Sequence, residues 1–204
     1  MKAKQGNLMR NVGLSVLMAG MMGAALPVAA QDLEKMDVGI GYQGATSSEK
    51  TPEPGGPSYS GLYKYGFNAD GSVPLNEKFS VVAELGWIRN SLKEDPAASH
   101  ANYNAVNYGG GLRWNRRGEK ITPFVQFVLG VSRDTFDPGS GPALGKFINA
   151  KFTTNNLMVQ PGGGVAIPFN DVMSVVGQVD YRRVFSDEGD NVFRYVFGLR
   201  FHQR

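Results

Sequence analysis

The sequence predicts an all-β fold, an eight-stranded antiparallel up-and-down barrel. Three observations carry that prediction. From Met36 onward apolar residues recur at every second position and hardly ever at spacings of three and four. The alternating stretches are separated by clusters of Gly, Pro, Asn and Asp, and the separations are alternately long and short. The chain has 204 residues with 27 Gly, 11 Pro and no Cys, and it is 42% apolar and 19% charged. It is too apolar for a disordered chain, fits one domain or at most two, and can use neither disulfides nor thiolate chemistry.

The first strand, 36–45, sets Met36, Val38, Ile40 and Tyr42 against Asp37, Gly39, Gly41 and Gln43. The second, 58–68, sets Tyr59, Tyr63, Tyr65 and Phe67 against Ser60, Leu62, Lys64, Gly66 and Asn68. In 79–90, Phe79, Val81, Ala83, Leu85 and Trp87 oppose Ser80, Val82, Glu84, Gly86 and Ile88. In 102–115, Val106, Tyr108, Leu112 and Trp114 oppose Asn107, Gly109, Gly111 and Arg113. The fifth, 121–133, offers Val125, Phe127, Leu129 and Val131 against Phe124, Gln126, Val128 and Gly130, with Pro123 near its start, where a missing N–H is tolerated. The sixth, 155–169, alternates Leu157, Val159, Val165 and Ile167 with Met158, Gln160, Gly162 and Gly164. Asn170-Asp171 then turns into 172–184, where Met173, Val175, Val179 and Tyr181 oppose Ser174, Val176, Gln178, Asp180 and Arg182. The eighth, 191–201, sets Phe193, Tyr195, Phe197, Leu199 and Phe201 against Val192, Arg194, Val196, Gly198 and Arg200.

Connections 46–57, 91–101, 134–154 and 185–190 fall at one end. The other end takes 69–78, 116–120 and 170–171, which are mostly shorter. Long loops at one end and short turns at the other are the pattern of an outer-membrane barrel.

Which face meets lipid follows from charge. The aromatic phase carries no charge in the middle of any strand; its only ones are Arg89, Arg133 and Arg183, each beside a long loop. A basic residue at the bilayer midplane costs about 2–4 kcal/mol and far less near the interface. The opposite phase holds Asp37, Lys64, Glu84, Arg113, Asp180, Arg182, Arg194 and Arg200, set among glycines. An eight-stranded barrel is only wide enough inside to be filled by side chains, so the rings belong outside. Phe67, Phe79, Trp114, Phe169 and Phe201 then line the short-turn end, and Tyr42, Tyr59, Trp87, Tyr181 and Phe193 the long-loop end, as two aromatic girdles. The fold expected is a transmembrane β-barrel.

Residues 1–30 read as a cleaved signal peptide. Lys2, Lys4 and Arg10 precede an apolar run from Val12 to Leu26, and Pro27-Val-Ala-Ala30 presents small residues for cleavage after Ala30. The run is shorter and richer in Gly and Ala than a spanning helix requires. The mature domain is then 31–204. Of the 21 Lys and Arg, 3 lie in the leader, which leaves 18 bases against 18 acids. Without clustered positive charge no nucleic-acid partner is expected.

The chain resembles the small eight-stranded outer-membrane barrels of the OmpA, OmpX and opacity-protein type. The resemblance rests on the stretches Thr122-Pro-Phe-Val-Gln-Phe-Val-Leu-Gly-Val-Ser132, Pro161-Gly-Gly-Gly-Val-Ala-Ile-Pro-Phe-Asn-Asp-Val-Met173 and Phe193-Arg-Tyr-Val-Phe-Gly-Leu-Arg-Phe201. It implies a Gram-negative outer membrane, export through the periplasm, and periplasmic chaperones and the barrel-insertion machinery as partners. It also implies a last strand, ending on an aromatic residue, that is read for insertion. Here Phe201 is followed by His202-Gln-Arg204, a departure from that pattern.

The inward charges are the main candidate site. Lys64, Glu84, Arg113, Asp180, Arg182 and Arg194 are expected to form a polar network that plugs the barrel, with Glu84 across the 69–78 turn from Lys64 and Asp180 beside Arg182 and Arg194. The alternative is that five bases against three acids line a narrow pore favouring anions. Arg89, Arg133, Arg183, Trp87, Trp114 and Phe201 are the candidate lipid-interface residues, the arginines facing lipopolysaccharide phosphates. A loop-based enzyme is the third class, since small barrels also include lipid-A deacylases and proteases. His100 and His202 fall at opposite ends, so they cannot share a site. No enzyme, cofactor or metal is expected, and the barrel is expected to be a monomer. The loop acids Glu94, Asp95, Asp187, Glu188 and Asp190 read as solvated charge. The loop runs Pro52–Pro57 and Pro138–Pro142 read as exposed surface.

Overall fold

The computed structural model of the chain describes residues 36–47, 62–63, 65–93, 100–116, 118, 120–137, 152–186 and 190–202. The expected leader, Lys64, Tyr59, and the loop residues Pro52–Pro57, Glu94, Asp95, Pro138–Pro142, Asp187 and Glu188 lie outside the described residues. Among the described residues nine strand segments occur: β1 (Asp37–Ser47), β2 (Leu62–Tyr63), β3 (Tyr65–Pro74), β4 (Phe79–Lys93), β5 (His100–Asn115), β6 (Thr122–Asp137), β7 (Phe152–Asn170), β8 (Met173–Phe185) and β9 (Asp190–His202). All neighbours pair antiparallel. β2 and β3 both lie along the same side of β1, so nine segments fill eight barrel positions, and β1–β9 pairing closes the sheet on itself. Closure removes the unpaired backbone edge that hydrocarbon could not satisfy. No helix among the described residues is long and apolar enough to cross a membrane; the crossing is made by strands.

The period-two phases hold through the barrel. On β4 the even positions from Ser80 to Ile88 are buried, while Phe79, Leu85 and Trp87 are exposed; on β9 Arg194, Val196 and Arg200 are buried, while Phe193, Tyr195, Phe197 and Phe201 are exposed. Inward glycines do not hollow the barrel. A Cβ on Gly109 would sit 2.5 Å from the Leu129 carbonyl oxygen, and one on Gly41 would sit 2.8 Å from that of Phe197. A small barrel curves its strands so sharply that neighbouring backbones crowd the inner face, and glycine relieves the crowding.

The structure corrects several expected boundaries. The run Asn68-Ala-Asp-Gly-Ser72 has turn composition yet continues β3 to Pro74, with Asn68 and Ser72 buried, so the connection contracts to 75–78. Leu75 N–H donates to Phe79 O, and Asn76 Oδ1 accepts from the N–H groups of Lys78 and Phe79, which closes that turn. Cross-strand pairing overrode local propensity. In consequence Phe67 sits opposite Tyr42 and Trp87 instead of at the short-turn end. At the other end β4, β5, β6 and β7 run beyond the expected limits into 91–93, 100–101, 134–137 and 152–154. With 15 residues, β4 reaches roughly 38 Å along the axis at ~3.3 Å per residue and ~40° tilt, more than the apolar band needs. Pairing also slips by one residue between Tyr42↔Phe67 and Ala45↔Tyr63, the signature of a β-bulge.

Candidate functional site: a buried ionic network

The inward polar residues converge on Arg194, which is wholly buried. β9 places it in register opposite Asp180 on β8, so a guanidinium and a carboxylate project inward side by side. Arg194 Nη2 donates to Asp180 Oδ2 at 2.6 Å and to Glu84 Oε2 at 3.0 Å. Its Nη1 donates to Glu84 Oε1 at 2.6 Å, and its Nε donates to Asp180 Oδ2 at 2.9 Å. Asn68 Oδ1 and Gln43 Oε1 take further bonds from Nη1. Glu84 in turn accepts from Gln126 and Gln160, and Gln160 Oε1 accepts from Arg182 Nε at 2.8 Å. Charges taken out of water persist when paired and hydrogen-bonded; Arg194, Glu84 and Asp180 meet that demand, whereas Arg182 bonds Gln160 through Nε and leaves its buried Nη2 without a hydrogen-bond partner.

A second layer lies toward the short turns. Arg113 Nη2 donates to Asp70 Oδ2 at 2.9 Å, and Arg200 Nη2 reaches the same oxygen at 3.4 Å. Both guanidinium carbons stand 5.0 Å from the ring centre of buried Phe124, within cation–π range. Gln126 joins the layers, accepting from Arg113 Nε at 3.0 Å and donating to Glu84. Gln43, Asn68, Glu84, Arg113, Gln126, Gln160, Asp180 and Arg194 thus bring one side chain from each of the eight barrel positions into a continuous network.

Of the residues expected in the network, Glu84, Arg113, Asp180, Arg182 and Arg194 are buried inside the barrel. The expected Glu84–Lys64 relation involves Lys64, outside the described residues; the cross-strand partner of Glu84 is Asp70, and its carboxylate is held by Arg194. Sequence reasoning missed Asp70, because it lies in the run taken for a turn. The signal was there, since Phe67, Ala69, Gly71 and Val73 against Asn68, Asp70 and Ser72 continue the alternation. With Asp70 and Asp134 counted, the described interior carries at least Asp37, Asp70, Glu84, Asp134 and Asp180 against Arg113, Arg182, Arg194 and Arg200, so the expected excess of bases disappears there.

On the outer surface Trp87 and Phe201 are exposed and Trp114 is half-buried; Arg89 and Arg133 are exposed and Arg183 is half-buried, its Nη1 donating to Asn191 Oδ1 at 2.7 Å. Trp114 pairs with Phe79 near the short turns, and Tyr181 meets Phe193 edge-on at 5.3 Å near the other end. Between them Ile40, Leu85, Leu112, Phe127, Val179 and Phe197 expose apolar surface with no intervening charge on their strands' outer phase. Such a band is stable against hydrocarbon and untenable in water. Among the described residues no cluster of His, Cys, Asp and Glu is arranged to hold a metal.

Solved structures share this architecture. The outer membrane protein OprG from Pseudomonas aeruginosa aligns with 82% of this chain and 95% of its own at a TM-score of 0.59 and 10% identity. Ail, the attachment invasion locus protein of Yersinia pestis, solved with the heparin analogue sucrose octasulfate, aligns with 82% and 97% at 0.55 and 14% identity. Neisserial surface protein A aligns with 83% and 95% at 0.52 and 10% identity. No curated protein matches the sequence. The family described as outer membrane protein beta-barrel domain matches residues 15–202, nearly the whole length. The chain belongs to that family of Gram-negative outer-membrane barrels.

Proposed function

We propose that the protein is a plugged, monomeric outer-membrane barrel with a structural or surface-interaction role, exported through the periplasm after loss of residues 1–30. The observation that carries the reading is Arg194: with no exposed surface, bound to both Glu84 and Asp180, it ties opposite walls of the barrel together across its centre. Inward acids at least as numerous as inward bases among the described residues support a plug over a pore selective for anions. Purified protein in planar bilayers should show no stable conductance, and Glu84→Gln should introduce brief openings by releasing one side of Arg194. Steady openings of the unaltered protein that respond to Glu84→Gln would establish the narrow channel instead.

The outer surface supports a lipid partner as well. Arg89, Arg133 and Arg183 occupy outward positions in the long-loop half, where lipopolysaccharide phosphates lie. Changing all three to Gln should reduce the lipopolysaccharide that copurifies with the barrel; unchanged retention removes this part of the reading. Insertion by periplasmic chaperones and the barrel-insertion machinery belongs to the same reading, supported by the aromatic Phe201 near the end of the last strand.

A further inference from the structure

At the short-turn end, where β1, β8 and β9 meet, three side chains form a hydrogen-bonded series that the plug does not use. Ser174 Oγ lies 2.7 Å from His202 Nε2, and His202 Nδ1 lies 2.8 Å from Asp37 Oδ1. The strand register builds this series. Asp37 and His202 are direct partners across the closing seam, Ser174 is the direct partner of Arg200, and all four positions belong to the inward phase. An ionised carboxylate only accepts, so Nδ1 carries the proton and donates it to Asp37. Nε2 then presents its lone pair to the Ser174 hydroxyl. Nucleophile, base and orienting carboxylate stand in the order that serine acyl transfer requires.

Two further observations point to chemistry at this place. The His202 and Asp37 side chains are 31% and 28% exposed, so the series opens to water at the barrel mouth, with Ser174 directly behind the imidazole. Arg200, opposite Ser174, is buried and its Nε has no hydrogen-bond partner. Its guanidinium is drawn toward Asp70 and the Phe124 ring, so it lends positive potential to this stretch of the inner wall, where an oxyanion forms when the hydroxyl attacks a carbonyl, and is not itself a placed donor.

We propose that Ser174, His202 and Asp37 form a serine acyl-transfer site facing the short-turn end, acting on small water-soluble carboxylic esters. Ser174 Oγ attacks the carbonyl carbon while its proton passes to His202 Nε2. The C–O bond to the alcohol breaks and the alcohol leaves with that proton. Water then attacks the acyl-Ser174 ester with His202 Nε2 accepting its proton; the acyl C–Oγ bond breaks, Oγ takes that proton back from Nε2, and the acid is released. The buried nucleophile on the inner wall excludes lipid tails and bulky esters, because a substrate must enter beside the imidazole. Of the plug residues this site involves only Arg200, so the two readings stand or fall separately.

The test uses the full barrel refolded in detergent, treated with diisopropyl fluorophosphate and analysed by peptide mass spectrometry, alongside p-nitrophenyl acetate hydrolysis. Phosphorylation is expected at Ser174 in preference to other serines, absent in Ser174→Ala and slowed roughly a hundredfold in His202→Gln, with ester turnover falling in parallel. Heat-modifiable gel mobility reports whether each variant still forms the barrel. An unlabelled Ser174 in the unaltered protein overturns the proposal whatever the variants do. So does equal labelling of a folded His202→Gln protein; the series would then be a clasp on the seam.

Discussion

Around Arg194 one guanidinium is shared by two carboxylates, whereas around Asp70 one carboxylate is shared by two guanidiniums. The Arg194 guanidinium is dry and saturated, although Arg182 Nη2 in the same layer has no hydrogen-bond partner. All three guanidinium nitrogens donate, and neither Arg194 nor Asp180 has any exposed side-chain surface. The Asp70 layer is looser: its carboxylate is 9% exposed, the contact with Arg200 stretches to 3.4 Å, Arg200 Nε has no partner, and an aromatic face supplies part of what acids supply above. A surplus of positive charge is thus tolerated where a ring faces it and the shared carboxylate is partly exposed. At the barrel's centre every charge is answered by a hydrogen bond.

The sharpest way to break this contrast is to remove the shared cation. Arg194→Ala leaves Glu84 and Asp180 buried and facing each other without their shared ion pair, held only by the amides of Gln126, Gln160 and Gln178 and the more distant charge of Arg182. The expected loss is about 3–5 kcal/mol of unfolding free energy, read from urea titration of barrels in lipid vesicles. A loss under about 1 kcal/mol would mean that water floods the centre and that the layer is no plug. The reciprocal change in the other layer, Asp70→Asn, keeps shape and one acceptor oxygen while removing charge. Arg113 retains Gln126 and Ser72 as acceptors, so the expected cost in the same titration is smaller, about 2 kcal/mol. Equal losses for the two variants would erase the distinction between a saturated and a tolerant layer.

The two layers also differ in how far the sequence disclosed them. Glu84, Asp180 and Arg194 stand in the middle of unambiguous alternating strands, so their inward phase follows from the period alone, and antiparallel neighbours β8 and β9 had to bring Asp180 near Arg194. What periodicity could not supply was Glu84: it meets Arg194 across the lumen, from a strand 110 residues away in sequence, and only barrel closure sets that distance. Asp70 was hidden for a different reason. Asn, Asp, Gly and Ser are favoured in turns by local backbone chemistry, and that preference masked a two-residue repeat that pairing with β1 and β4 enforces. Asp37, Ser174 and His202 were each visible as single residues. Their convergence depends on the register of the seam, which no single strand encodes.

The finest discrimination concerns Phe124, which distinguishes the layers chemically because, among the described residues, its ring meets Arg113 and Arg200 and none meets Arg194. Phe124→Leu keeps an apolar side chain among Ala166 and Val176, its buried neighbours, but removes the face on which Arg113 and Arg200 rest. A cation–π contact in a desolvated setting contributes about 1–2 kcal/mol. The substitution also loses some packing, so the informative quantity is the coupling between Phe124→Leu and Arg113→Met in a double-mutant cycle. A coupling near 1 kcal/mol is expected, with a much smaller one between Phe124→Leu and Gln160→Met, since Gln160 bonds to Glu84 and Arg182 and to neither of the arginines stacked on the ring. If both cycles give the same value, the ring acts only as filler. Asp70 alone would then have to hold two buried cations, and the tolerance seen in that layer would need to come from water.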